Sequence, residues 1–288
     1  FTNHPMKIVI LYTDNGPEKL ISIASAKRIY SALKKLGYSM SKIPYSLETL
    51  SALSDYNLVI NLVYGKEGED GTISAILENS NISYLGPSTK NCLMTYNKLV
   101  TKYYLLKHGV RTPRISRGKY SLIYKPLNGG SSRQMFLSHN MESKSRKLPK
   151  NNYFYEEYLP GREFCSTAIK DRNKILYLPI VEIKKKGRVF NFKEKYKIRG
   201  DILEAPAKIS HKLENEILTI TRKCFKIFDC RFYIKVDFVL DTKNRPNVIE
   251  IDAIPGFGPK SILPKAAETK NIPFAKLMDI LIHESTSC

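Results

Sequence analysis

The stretch from Lys235 to Gly256, K-V-D-F-V-L-D-T-K-N-R-P-N-V-I-E-I-D-A-I-P-G, places three acids where they can work together. Two alternating, β-branched runs flank Asp241 to Pro246, whose composition is that of a turn, so the segment reads as a β-hairpin. A turn centred between Lys243 and Asn244 sets Asp237 opposite Glu250. The two-residue repeat of a strand then puts Glu250 and Asp252 on one face and Ile249 and Ile251 on the other. Like charges facing each other across a sheet call for a cation. An all-oxygen set suits a hard ion such as Mg²⁺, which keeps waters and accepts substrate phosphates as further ligands. The alternative reading of these residues alone is the solvated polar face of an ordinary hairpin.

Two loops could meet such a site. Lys125-Pro-Leu-Asn-Gly-Gly-Ser-Ser132 follows a strand expected at Tyr120 to Tyr124. Its glycines let backbone N–H groups approach an anion, Ser131 and Ser132 add hydroxyl donors, and Lys125 adds charge. The lysine precedes the glycines, so this is not a Walker A loop, and a plain connecting loop is an equal reading. Tyr64-Gly-Lys-Glu-Gly-Glu-Asp-Gly71 carries three glycines and three acids at a strand's carboxyl end, where open α/β sheets place ligands. It is longer than a tight βα turn needs.

The elements that must hold these loops follow from periodicity. Strand patterns at Lys7–Tyr12, Met40–Ile43 and Tyr56–Leu62 alternate with helices at Leu20–Leu36 and Leu47–Leu53, which is the βαβαβ order of a parallel sheet. Ala26, Ile29, Tyr30, Leu33 and Leu36 form the first helix's stripe, and Gly37 stops it. A helix from near Thr72, a strand at Ile82–Leu85 and a boundary at Gly86-Pro87 complete the first unit. The spacing then predicts a helix over Asn97–His108 that buries Leu99, Tyr103 and Leu106. Beyond it come a strand at Tyr153–Tyr158, two strands within Phe164–Ile183, and an irregular segment Phe190–Ala207. A Ser210-capped helix to Ile227, the hairpin, and a closing helix at Pro273–His283 end the chain.

With 288 residues, 42% of them hydrophobic and 26% charged, the chain is ordinary globular material with room for one large domain or several small ones. It has no bilayer-length apolar run and no signal-like segment, so a cytoplasmic protein with no membrane partner is expected. Phe1 to Pro5 read as an addition before a natural start at Met6. The net charge of +20 raises nucleic-acid binding, but the basic residues are dispersed and a polyanionic nucleotide substrate accounts for part of the excess; no nucleic acid is expected. Five cysteines without a C-x-x-C pair argue against zinc and against a disulfide framework.

Taken in order, Glu67-Gly-Glu-Asp-Gly-Thr72, Asn97-Lys98-Leu99, Lys125-Pro126 to Gly130-Ser-Ser132, Glu156 to Glu163, Lys195-Tyr196, Val236-Asp237 and Glu250-Ile-Asp-Ala-Ile-Pro-Gly256 with Ser261 resemble the ATP-grasp superfamily. Within it the chain is most similar to the D-alanine–D-alanine ligase family, over nearly its whole length. The resemblance implies an α/β (α+β) protein of ATP-grasp fold: a Rossmann-like N-terminal domain (6–87), a small central domain (88–158) and a C-terminal catalytic domain (159–288). It implies an ATP-dependent carboxylate–amine ligase that works through an acyl phosphate, takes small amino-acid substrates and can form a homodimer. A ligase with a different first substrate and a weak nucleotide-binding homologue are the alternatives. By resemblance Lys98, Lys125 and Lys195 meet the ATP phosphates and Ser131 and Ser132 close over them. Glu156 and the backbone of Glu157 and Leu159 meet adenine, and Glu163 the ribose. Asp237, Glu250 and Asp252 hold two Mg²⁺, for which Mn²⁺ could stand in. Lys235 and Gly256 face the oxyanion, Tyr196 covers the substrates, and Ser261 binds the second substrate's carboxylate.

The departures fall on the substrate side. The family's arginine before the metal aspartate is Lys235, a point charge where a planar fork is usual, and its metal asparagine is Asp252. The acid that holds the first substrate's ammonium falls near Leu20, with Glu18 close but out of register. Tyr64-Gly65 replaces His-Gly, and Gly129 replaces an acid of the phosphate loop. The region from Ser132 to Glu156 is short.

Overall fold

Apolar alternation decides both faces of the first sheet. In the computed structural model, which describes residues 6–116, 121–129, 135–138, 152–172, 174–184 and 203–286, strands β1 (Lys7–Tyr12), β2 (Ser39–Pro44), β3 (Leu58–Leu62) and β4 (Tyr84–Leu85) pair in parallel in the order β2-β1-β3-β4. Ile8 and Ile10 join one core with helix α1 (Lys19–Lys35) and the C-terminal helix α7 (Phe274–Thr286). Val9 and Leu11 join another with a 3₁₀ helix (Glu48–Asp55) and helix α2 (Thr72–Asn79). Covering both faces is what lets β1 and β3 be continuous apolar runs. Gly37 ends α1 at φ 89°, with the Tyr38 amide donating back to Leu33 O. The helix expected at Leu47–Leu53 is present and takes the 3₁₀ form, and Leu36, expected on the buried stripe, is 48% exposed.

Helices α3 (Thr89–Thr95) and α4 (Lys98–Lys107) follow. Asn97 caps α4, its Oδ1 accepting from the Leu99 and Val100 amides. The expected buried face of α4 is wrong. Tyr103 and Leu106 are 61% and 59% exposed, and the helix instead buries Thr101, Lys102 and Leu105. It is rotated because Lys102 runs inward to a buried carboxylate.

A three-stranded antiparallel sheet, order β6-β5-β7, comprises β5 (Leu122–Pro126), β6 (Phe136–Ser138) and β7 (Tyr153–Glu157). The larger antiparallel sheet contains β8 (Glu163–Asp171), β9 (Lys174–Tyr177), β10 (Val181–Ile183), β11 (Leu203–Glu204), β12 (Tyr233–Leu240) and β13 (Pro246–Asp252). Phe164–Ile183 thus holds three strands rather than two: β8 pairs with β10 near its start and with β9 near its end. Helix α5 (His211–Ile227), capped by Ser210 Oγ accepting from the Leu213 amide, covers one face of this sheet. Ile234, Val236 and Phe238 of β12 pack there with Ile217, Cys224 and Phe225. The alternate residues Lys235 and Asp237 therefore point to the opposite face. Helix α6 (Ile262–Thr269) lies between the hairpin and α7.

Candidate active site

The hairpin brings Asp237 opposite Glu250, as its sequence predicts, but by a different route. Leu240 pairs with Pro246 and Phe238 with Val248, so the turn is centred on Lys243; a bulge between Asp237 and Phe238 then restores the register. Asp241 builds the turn, its Oδ1 accepting from the Lys243 and Arg245 amides. The bulge changes the faces. Val248 and Ile251 enter the core, whereas Ile249, expected beside Ile251, is only half-buried.

The same register sets Lys235 opposite Asp252. Lys235 Nζ donates to Asp237 Oδ2 at 2.7 Å and to Asp252 Oδ2 at 2.9 Å, bridging two of the three acids. Burial disfavours its charge, but Asp237, Asp252 and Glu250 prevail and hold its pKa well above the ordinary value. Burial pushes Asp252 up, against the pull of Lys235, and Glu250 and Asp237 add to the rise. Asp237 Oδ1 is buried with no hydrogen-bond partner. Among the described residues no three His, Cys, Asp or Glu stand close enough to form a ready metal cage, because the ammonium occupies the space between two of them.

The small sheet carries a node of opposite sign. Lys125, at the end of β5, pairs with Glu156 Oε1 across the strands, and Lys102 Nζ lies 2.8 Å from Glu156 Oε2. Lys102 also donates to Thr112 Oγ1 (2.8 Å) and Pro113 O (2.7 Å). Glu156 is 1% exposed. Burial alone would raise its pKa, yet the two ammoniums lower it. Burial lowers Lys102 despite Glu156, while Lys125 is raised because Glu156, Glu250 and Glu163 outweigh its burial. Sequence reasoning missed Lys102; its spacing of four from Lys98 on one side of α4 was the available signal.

Lys98 joins the two nodes. Its Nζ donates to Gly129 O in the glycine loop and lies 3.6 Å from Glu250 Oε1 on the hairpin. Glu69, Thr95 and Tyr96 line the cleft around Lys98, Glu250 and Asp252. Glu69 comes from the loop Tyr64–Gly71, which is held close: a Cβ on Gly68 would meet Val63 O at 1.7 Å. Burial and the charges of Asp252, Glu18 and Glu250 push the Glu69 carboxyl up to about 8. Glu18 thus lies within electrostatic reach of the cleft, with its Cγ 3.9 Å from where a Gly65 Cβ would be, whereas Leu20 is 74% exposed.

Gly256 sits against Ser261 and Ile21, whose Oγ and Cδ1 lie 2.6 and 3.0 Å from a Cβ built on it. Ser261 precedes α6 without capping it through its side chain. Leu159 is buried, and the Glu157 amide donates to Arg114 O. Glu163 opens β8, paired with Val239. Ser131, Ser132, Lys195 and Tyr196 lie outside the described residues.

Residues 94–283 match the family model described as the D-ala D-ala ligase C-terminus. The chain is 26% identical over 301 residues to the D-alanine–D-alanine ligase B of Clostridium perfringens (strain 13 / Type A), covering 97% of this chain and 98% of that protein. It is 28% identical over 294 residues to the D-alanine–D-alanine ligase of Thermotoga sp. (strain RQ2), covering 96% of each. The crystal structure of the Bacillus anthracis D-alanine–D-alanine ligase complexed with ATP superposes with a TM-score of 0.83 at 23% identity, over 99% of this chain and 98% of that one.

Proposed function

This chain belongs to the D-alanine–D-alanine ligase family, and from that premise we propose that it joins two D-alanine molecules at the expense of ATP, releasing ADP and phosphate. The observation that carries this reading is Lys98, whose ammonium touches both the glycine loop and the acidic hairpin. One cleft therefore has a cationic wall fit for phosphates and an anionic wall fit for their counter-ion.

Lys98 and Lys125, with Ser131, Ser132 and Lys195, hold the phosphates. Adenine lies against the backbone of Glu157 and Leu159, and Glu163 takes the ribose. The Glu156 carboxylate is closed off by two lysines, so it acts by fixing Lys125 rather than by touching the base. The donor set of Asp237, Glu250 and Asp252 fits a hard dication: all are oxygens, and Asp237 Oδ1 is buried and unpartnered. Mg²⁺ there, two ions by family resemblance and replaceable by Mn²⁺, supplies charge neutralisation to the phosphates.

Glu18 holds the first D-alanine's ammonium and aims its carboxylate at the γ-phosphate, giving an acyl phosphate and ADP. Ser261 holds the carboxylate of the second D-alanine, whose amine attacks the acyl carbon, and phosphate leaves. Gly256 and Lys235 stand nearest the developing oxyanion, and Tyr196 covers the substrates. Among the described residues no helix is long and apolar enough to cross a membrane. The cytoplasm is the compartment we assign to the reaction, since it supplies both ATP and free amino acids.

The test is ADP and phosphate release with Mg·ATP over a panel of D- and L-amino acids. Stimulation by D-alanine is expected. Stimulation only by another first amino acid would move the specificity, and none by any pair would overturn the ligase reading.

A further inference from the structure

Lys235 stands where a cation of the acidic site would stand. Its ammonium bridges Asp237 Oδ2 and Asp252 Oδ2, and the side chain is 9% exposed, so the two carboxylates rather than bulk water compensate its charge. Lys98 stands 3.6 Å from the third acid, Glu250. Asp237 and Asp252 thus share one ammonium, and the negative charge left over between them is what an arriving dication would meet. The two residues that pair, Lys235 and Asp252, are also the two that depart from the family's pattern in this hairpin. An added negative charge at Asp252 is what a compact ammonium, lacking the reach of a guanidinium fork, can bridge to Asp237.

We propose that Lys235 is an internal counter-ion that keeps divalent cations out of the carboxylate cluster until a nucleotide arrives, so that metal loading follows nucleotide binding. This rests on the reading of Asp237, Glu250 and Asp252 as the metal ligands. Phosphates entering the cleft draw Lys98 away from Glu250 and add negative charge beside it, which restores the attraction for a dication. Glu250 and Asp252, the more exposed acids, meet such an ion first, and Asp237 Oδ1, buried without a hydrogen-bond partner, is the oxygen left for it at the base of the site.

The test is Mn²⁺ titration of the full chain, followed by electron paramagnetic resonance, with and without a non-hydrolysable ATP analogue, for the wild type, K235M, D252N and K235M/D252N. In the wild type the analogue tightens Mn²⁺ binding at least about tenfold. K235M binds Mn²⁺ without nucleotide at least about tenfold more tightly than the wild type, and the analogue's enhancement shrinks accordingly. D252N removes the surplus charge and weakens Mn²⁺ binding at least about tenfold, while K235M/D252N, which restores the wild-type balance of charge, returns to within a few fold of the wild type. K235M no tighter than the wild type would overturn the proposal, while analogue-dependent binding in the wild type would keep the metal reading. Absence of Mn²⁺ binding in every chain with the analogue would remove both. Circular dichroism checks folding, and K235Q, which keeps a donor without the charge, replaces K235M if the latter does not fold.

Discussion

The two charged nodes of the cleft are inverses of each other. In the small sheet one carboxylate, Glu156, is shared by two lysines, and all three are buried. In the hairpin one lysine, Lys235, is shared by two carboxylates with a third, Glu250, beside them. A buried node is left with surplus charge only where a partner of the opposite sign is to come, since uncompensated charge is costly away from water. The surplus is positive on the wall with the glycine loop and negative on the hairpin wall. On the proposed reading phosphate and metal take separate, facing places, and Lys98 is the contact between the two walls.

Breaking the positive node has the largest expected effect. E156Q leaves Lys102 and Lys125 facing each other without an anion, and urea unfolding should show a loss of about 3–5 kcal/mol. An undiminished midpoint would show that the two lysines are solvated rather than held. On the negative node D237N removes a charge from the proposed metal site; kcat/KM for ADP release should fall about 10²-fold with the folded state intact. A change in unfolding midpoint without a change in rate would make Asp237 purely structural.

Glu69 sharpens the comparison through pH. Its carboxyl, pushed up to about 8, holds a proton in the folded chain that an unfolded carboxyl has lost. The stability this group contributes is therefore complete below the ordinary carboxyl range and is lost as pH rises through about 8. Between about pH 5 and pH 8 the wild type should lose about 2–4 °C of Tm more than E69Q does. Parallel curves would mean that Glu69 ionises normally beside Asp252. The smallest effect lies outside both nodes: Y103S and L106K, on the exposed side of α4, should each shift stability by no more than about 0.5 kcal/mol. A loss of several times that would mean this face is covered.

The parallel sheet and the helices around it were legible because period alone separates β1, β3 and α1. The pairing of Asp237 with Glu250 was legible too, although the bulge that produces it leaves no mark in the sequence and moves Ile249 out of the core. Lys235 against Asp252 could have been found, since the register that pairs Asp237 with Glu250 pairs these two as well. The face of α4 could not. Tyr103 and Leu106 look like core residues until Lys102 is known to have a carboxylate on a distant strand, and that partner outweighs their apolar preference. Likewise Leu20 occupies the place of an expected acid in sequence, and only the turn of the chain before α1 brings Glu18 toward Glu69.

The central claim, that two walls of opposite sign take phosphate and metal as one unit, is tested most directly by calorimetric titration of a non-hydrolysable ATP analogue with and without Mg²⁺. The account predicts that Mg²⁺ tightens the analogue at least about tenfold and that the analogue tightens Mg²⁺ by the same factor. Equal affinity for the analogue in the two titrations would contradict it.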